Sequence, residues 1–592
     1  MKKAIKLLSV AILLGSMLLI YSCNDEFLTK EPPGVAAGSV IQSPTGIETL
    51  LTGVYERMQN GSQSMFGAAM TSDWTYSGGC SDDAYKGTSS GDQSNFNLLE
   101  RYEALPNNPY LENRWNACYD GVARANVCLE FLWATQAGPT PLDAGRATQV
   151  EAEAKFLRAW FHFQANKIFE NIPYILTPTE LGEAKPEDTP NSDPGWDKIE
   201  ADLQYAIDNL PTTPYNNEPG RPTKYAAEAV KAQAHMYQRE YALAKPLLDD
   251  IINSGKYSLA QEFNWNFDMT HENNSESIFE LQCSTSATAR SAVNGSGCNF
   301  HQKGPASCGG WGFYQPSQNL FEAFQTTADG LPELDPAARD ALANDMGLGS
   351  GDDFTPTDHL MDPRVDYIIA RRGVDFLEWG IHPGNDWIRE QPNGGPYMTK
   401  IFMHKKSEQS LNLNGTGFYN GKNYRTYRYA SILLWRAECA IEDNDLELAR
   451  TYVNMIRERA KNSTPIMGYV SSTKDLGSNP VVDWNLPAAN YKIEPYPGPG
   501  VYPFDSKANA LKAVQEETRL EFACQNHRFF DLRRWGIIAD VLNAYIADDI
   551  QFRSFLATGG VAVFNATEDD YWPIPQSQID LQEGVLTQDP SY

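Results

Sequence analysis

Positive charge is scarce in this sequence. Forty-eight Lys and Arg stand against 76 Asp and Glu, a formal net charge of −28 over 592 residues. So acidic a surface repels phosphate backbones and anionic headgroups, which argues against nucleic-acid binding and electrostatic membrane adhesion. An uncharged ligand is unaffected. Cysteine is sparse too: the nine residues include no CxxC pair, so neither a small disulfide framework nor a zinc ribbon is encoded. No apolar run reaches the roughly 20 residues that span a bilayer as a helix. Gly (44) and Pro (36) stay near average usage, and 42% hydrophobic residues exclude wholesale disorder. Enzyme and cofactor signatures are also missing. There is no GxxxxGK[ST], His271-Glu272 lacks the second histidine of HExxH, and Asp443-Asn444-Asp445 lacks the glycine of a calcium loop. Gly87-Thr88-Ser89-Ser90-Gly91 satisfies GxSxG, but no strand is expected before it and no helix after it. No catalytic residue, metal ligand or cofactor is assigned.

What is present begins at the N-terminus. Lys2, Lys3 and Lys6 precede a 14-residue apolar stretch, Leu7 to Ile20, of secretory-signal length. It ends Leu19-Ile20-Tyr21-Ser22-Cys23, which resembles a bacterial lipobox with Tyr21 as a loose fit. Cleavage before Cys23 and acylation of its thiol and amino group are expected, more than one acyl chain being needed for stable anchoring. Asp25-Glu26 resembles an export signal for surface lipoproteins, and Pro32-Pro33-Gly34 reads as a tether. Among the eight later cysteines, Cys118 and Cys128 lie too far apart around a helix to pair. Cys298 and Cys308 bracket a Gly-rich loop and are the one plausible local bridge; burial of all eight as apolar residues is the equal alternative.

Helical periodicity dominates the remainder. Glu151–Phe169 places Ala154, Leu157, Phe161, Ala165 and Ile168 on one face, with Phe156, Phe163 and Phe169 widening it, so neighbours must enclose this helix on several sides. At an offset of 205, Lys231-Ala232 matches Arg436-Ala437, Leu243-Ala244-Lys245 matches Leu448-Ala449-Arg450, and Ile251 matches Ile456. Each copy is a helix, a polar turn and a helix; the first, Lys224–Tyr257, has the 34-residue tetratricopeptide period. Ala232 and Ala437 would allow close helix approach, with Leu243 and Leu448 filling the space between. Such hairpins bury their faces only by stacking. The fold class expected is mainly α: a tetratricopeptide-like helical-repeat scaffold with a large loop-rich subdomain carrying a few short strands, one at Ile278–Cys283.

The organisation read from these patterns is a signal peptide at 1–22 and a lipidated tether at 23–40. The N-terminal scaffold follows at 41–261, with an early loop at 60–110. A loop-rich, ligand-binding excursion occupies 262–423, and a C-terminal repeat and closing segment 424–592.

Several segments resemble the SusD/RagB family of Bacteroidetes surface lipoproteins. They are CNDEFLTKEPPG from Cys23, EAEAKFLRAWFHFQANKIFENIPYI from Glu151, GGWGFYQPSQNLFEAF (Gly309–Phe324) with Asp362-Pro363-Arg364, EETRLEFACQNHRFFDLRRWG (Glu516–Gly536) and YWPIPQSQID (Tyr571–Asp580). They occur in family order. The resemblance implies non-catalytic capture of a nutrient, typically a glycan, at the outer membrane. It also implies a partner, a SusC-like TonB-dependent transporter over which the protein acts as a lid, with the helices facing it.

Sugar sites pair flat rings with amide and carboxylate acceptors. Two segments offer that mixture off helical spacing: Trp74, Tyr76, Asp82, Asp83 and Tyr85, and then Trp311, Phe313 and Tyr314 among glycines. These eight are the candidate ligand-binding residues; Trp265, Trp379 and Trp387 rank lower. The cluster Glu517, Arg519, Glu521, His527, Arg528, Asp531, Arg533 and Arg534 reads as a buried ion-pair network, with partners expected three and four residues away. A glycan-processing enzyme and a protein-interaction scaffold are the competing functional classes, and a peptide ligand stays open.

Overall fold

A computed structural model describes residues 38–58, 73–283, 311–353, 355–411, 421–470, 476 and 480–592. Cys23 and the Cys298/Cys308 pair lie outside the described residues. The main helices are α1 (Pro44–Met58), α2 (Ser94–Glu100), α3 (Pro109–Gln136), α4 (Ala144–Phe169), α5 (Trp196–Asn209), α6 (Lys224–Tyr237), α7 (Tyr241–Asn253), α8 (Tyr429–Glu442), α9 (Leu446–Asn462), α10 (Lys507–Glu521), α11 (Arg528–Trp535) and α12 (Ile538–Asp549). Consecutive helices from α3 to α10 pack one against the next, α7 against α8 joining the two predicted repeats across the loop-rich segment. None of the described helices is long and apolar enough to cross a membrane.

The enclosed helix is α4. It starts at Ala144, before the predicted Glu151, because the Asp143 side chain accepts the Arg146 N–H and caps it there. From Ala152 to Phe169 every residue except Lys155 is buried, since α3 and α5 cover opposite sides and α1 a third. The repeat also forms as read. Ala232 and Ala437 are fully buried, and Met236 of α6 meets Cys439 of α8 with sulfurs 3.9 Å apart. One detail differs. Leu243 is 52% exposed, and the stripe of α7 is Ala244, Leu248 and Ile251. Ala449, Val453 and Ile456 repeat it in α9, while Leu448 is half-buried. The (i, i+4, i+7) spacing from the alanine sets the face, one position later than the leucines suggested.

Strands are short: β1 (Ala84–Gly87), β2 (Ser277–Leu281), β3 (Phe313–Pro316), β4 (Tyr424–Arg428), β5 (Met467–Val470) and β6 (Val482–Pro487). They pair in antiparallel twos, β1 with β3, β2 with β4 and β5 with β6. The six described cysteines after Cys23 are all buried except half-buried Cys283.

The C-terminal charges are buried, and their partners come from far away in the chain. Arg364 donates to Asp362 (2.7 Å), Glu517 (2.7 Å) and Glu521 (3.2 Å). Arg457 reaches the other Glu517 oxygen at 2.9 Å, and Arg428 and Arg459 reach Glu521 at 3.0 and 2.5 Å. Glu276, just before β2, bridges Arg428 and Arg459. Four guanidiniums thus meet four carboxylates, all fully or nearly fully buried. Burial alone would raise the Glu276 pKa, but Arg459 and Arg428 outweigh it and hold the group at about 2. The neighbour α10–α11 links Arg519 to Asp82 and Asp83, and Arg534 to Glu438 and Asp531.

Two outcomes follow for stability. Arg364→Ala takes the ion-pair partner from buried Asp362 and one of the guanidiniums from Glu517 and Glu521, and should cost about 3–5 kcal/mol in chemical denaturation. In acid, His162 and His527 are both pushed down to about 3, chiefly by burial. Their folded-state pKa values lie below the unfolded ones, as does that of Glu276, so their stabilisation is complete above the unfolded values and drains as pH falls. Urea midpoints should decline from roughly pH 6.5 as the histidines of the unfolded chain take up protons. The decline should steepen below roughly pH 4.5 as Glu276 joins them.

Candidate functional site

The two segments proposed to meet a ligand are brought together, although they lie more than 200 residues apart. In the β1–β3 pair Ala84 faces Pro316, Tyr85 faces Gln315 and Gly87 faces Phe313. Glycine makes the approach possible. Gly87 has φ +77°, and a Cβ there would sit 2.5 Å from the Gly312 carbonyl. Thr88 follows with φ 55°, unusual for a β-branched residue, its N–H donating to Gly312 O at 2.5 Å. Asn393 Nδ2 ties the Gly87 carbonyl at 2.9 Å.

Both strands are buried on both faces, and this corrects the expected ligand surface. Trp74, Tyr76, Asp82, Asp83, Tyr85, Phe313 and Tyr314 are each at most 2% exposed and present no face to solvent. Trp74 packs edge-on to Phe96 (5.1 Å) and tilted against Phe313 (5.9 Å) and Tyr314 (5.6 Å). Tyr76 donates to the Tyr110 carbonyl (2.6 Å), and Tyr85 donates to Asp549 (2.7 Å) beneath the Arg553 guanidinium. Asp82 accepts from Arg519 (3.0 Å) and Arg528 (2.8 Å), Asp83 from Arg519 (3.0 Å). Burial would raise the Asp82 pKa; the two guanidiniums overcome it and hold this carboxyl far below the usual range. For Asp83 burial prevails, helped by the neighbouring Asp82 charge, and its pKa is raised. In strands enclosed on both sides, aromatic side chains become core whichever way they point.

Trp311, two residues before β3, is the exception at 40% exposure. The Arg389 guanidinium lies 5.7 Å from its ring centroid, within cation–π range. Arg389 Nη1 also donates to Thr88 Oγ1 (2.7 Å) and Asp92 Oδ2 (2.7 Å), while the Thr88 hydroxyl donates to the same Asp92 oxygen (2.9 Å). Below them Lys86 Nζ donates to the carbonyls of Ser89 (3.1 Å) and Asp92 (2.7 Å), which fixes the loop. Burial lowers the Lys86 pKa to about 8 against the pull of Glu100 and Asp92. A partly open indole beside a guanidinium, a carboxylate and a hydroxyl combines a flat apolar face with a hydrogen-bonding rim. That is chemistry suited to a sugar. Arg389, Asp92 and Thr88 went unrecognised in the sequence; only their shared fold neighbourhood marks them.

The lower-ranked tryptophans are half-buried and separate. Trp265 stacks on His271 (4.2 Å), Trp379 donates to the His404 carbonyl (3.2 Å), and Trp387 meets His382 and Phe376 edge-on. The GxSxG segment does follow a strand, β1, and precede a helix, α2, contrary to expectation. Among the described hydrogen bonds, however, no imidazole reaches the Ser89 hydroxyl; its carbonyl serves Lys86.

A helical-repeat scaffold with short strand pairs defines the class of protein. The SusD family profile matches residues 275–592, more than half of the chain, and a profile described as starch-binding associating with outer membrane matches 26–236. The chain belongs to the SusD family. SusD-like protein P25 of Formosa agariphila is 23% identical over 583 residues, covering 96% of this chain and 97% of its own. A SusD superfamily protein from Bacteroides vulgatus shares the fold with TM-score 0.66 and 22% identity, over 93% of this chain and 99% of its own. Surface glycan-binding protein A from Bacteroides thetaiotaomicron, solved with laminarihexaose, superposes with TM-score 0.64 at 20% identity, over 93% of this chain and all of its own.

Arg519→Ala takes the ion-pair partner from buried Asp83 and leaves Asp82 to Arg528 alone, and a loss of about 3–5 kcal/mol in unfolding free energy is expected. Ligand affinity of the fraction that stays folded should be unchanged, since neither aspartate is accessible. A melting temperature like that of the wild type combined with lost binding would return these aspartates to the ligand site.

Proposed function

We propose that this chain is a surface lipoprotein, anchored in the outer membrane through acylated Cys23, that captures a glycan without transforming it and delivers it to a SusC-like TonB-dependent transporter. The observation that carries the reading is the Trp311–Arg389–Asp92 group, displayed at the junction of β1 and β3 on a SusD-family scaffold. The formal charge of −28 favours an uncharged cargo. Surface glycan-binding proteins of the same fold, one with laminarihexaose bound, support the same ligand class. The carboxylates of the two clusters marked in the sequence, Asp82, Asp83, Glu517 and Glu521, are engaged by guanidiniums in the interior, which favours binding over hydrolysis.

Isothermal titration against a panel of neutral oligosaccharides, laminarihexaose and maltohexaose included, tests it. At least one should bind, and Trp311→Ala should weaken that binding by about 1–2 kcal/mol, the worth of one lost stacking face. Arg389→Ala should weaken it in the same direction, through lost support of the ring and of Asp92. Unchanged affinity in both variants would remove the site from this place. Reducing ends released from a polysaccharide on incubation would defeat the non-catalytic reading.

A further inference from the structure

The first repeat carries a cluster that the glycan reading does not use. We propose that Glu200, His235 and Glu240 form a binding site for a divalent transition-metal cation, zinc by their ligand chemistry.

Each residue comes from a different helix or its edge: Glu200 from the second turn of α5, His235 from the last turn of α6, and Glu240 from the residue before α7. The tight turn between α6 and α7 sets the geometry. Arg239 adopts φ 60°, and the Glu240 N–H donates back to the His235 carbonyl at 2.8 Å, which turns the Glu240 carboxylate toward the imidazole. His235 Nδ1 then lies 2.8 Å from Glu240 Oε2 and 3.7 Å from Glu200 Oε1. One ligand atom from each residue falls within 4.8 Å of the others. The imidazole is almost wholly buried, its side chain 4% exposed, while the carboxylates open toward solvent at 21% and 41%. An ion therefore has an entry path and a fixed inner ligand.

Two further features separate this cluster from an ordinary acidic patch. Gln238 Nε2 donates to Glu200 Oε1 at 2.8 Å, orienting that carboxylate as outer partners of metal ligands do. Among the described ion pairs, neither Glu200 nor Glu240 meets a lysine or arginine; the histidine is the one basic side chain in contact. The nearby Lys231 turns its ammonium to Gln204 Oε1 (2.8 Å). Among the described ion pairs no lysine or arginine therefore competes for the two carboxylates. One nitrogen and two carboxylate oxygens, with a fourth position open to water, match zinc. Calcium and magnesium prefer all-oxygen shells with more ligands. Binding uses the Nδ1 lone pair, so the imidazole proton sits on Nε2 in the loaded site. The ion would clip α5, α6 and the start of α7 together.

The test is titration of the metal-stripped full-length chain with zinc chloride, in parallel with calcium and magnesium chloride. An acidic surface gathers zinc weakly elsewhere, so the readout is the difference between variants. Wild type should hold one zinc equivalent that His235→Ala loses and that Glu200→Gln and Glu240→Gln hold at least ~10-fold more weakly. Millimolar calcium or magnesium should not displace it. The glutamine variants keep the turn and the helix packing, so circular dichroism matching wild type secures their interpretation if His235→Ala misfolds. Anomalous scattering at the zinc edge should put the ion between the three side chains. Equal stoichiometry and affinity in wild type and the glutamine variants would overturn the proposal, as would calcium displacing zinc at equal concentration.

Discussion

The buried exchange between Glu517 and Glu521 of α10 and the guanidiniums of Arg364, Arg428, Arg457 and Arg459 is the constraint on which the architecture turns. These charges come from the loop after Asp362, from β4 and from α9, and through Glu276 they reach the start of β2. Away from water each would be costly alone; together they are balanced and hydrogen-bonded, so the elements carrying them have one mutual arrangement that leaves no charge unpaired. Apolar faces of helical hairpins specify that neighbours stack. They specify less well how a loop-rich excursion docks on the stack, and directional ion pairs supply that registration.

The same logic extends to the β1–β3 pair. Arg519 and Arg528 hold Asp82 and Asp83 at the entry to β1, and β1 then holds β3. Gly87 and Gly312 let the two backbones approach, and Lys86 pins the loop that carries Asp92. Trp311 emerges at the rim of this assembly with Arg389 beside it. The rigidity of the exposed ring therefore derives from buried charges and aromatics. The residues first suspected of recognition are buried ones that fix the position of the exposed ring.

How far the sequence was readable depends on whether a signal was local. The repeat at an offset of 205 was legible because two homologous hairpins place Ala232 and Ala437, Ile251 and Ile456 at the same buried positions. The leucines misled because Leu243 sits one residue off the stripe, a shift of about 100° around the helix. The charged run from Glu517 to Arg534 read correctly as a buried network. Its partners did not, since Arg364, Arg457 and Arg459 lie 60 to more than 150 residues away. Trp74 and Trp311 look alike as tryptophans in glycine-rich loops, and only enclosure by Phe96, Phe313 and Tyr314 tells them apart.

Periodicity, motif order and charge balance settled by themselves that the chain is a helical-repeat protein with a loop-rich insertion, because helical faces and family motifs are written in short-range spacing. Which aromatic faces solvent, which aspartate is neutralised by which arginine, and that Arg389 and Asp92 stand beside Trp311 were decided by the tertiary structure alone. Exposure and pairing belong to the whole packed chain: a side chain is buried or bared by segments hundreds of residues distant, and nothing in its own neighbourhood records them.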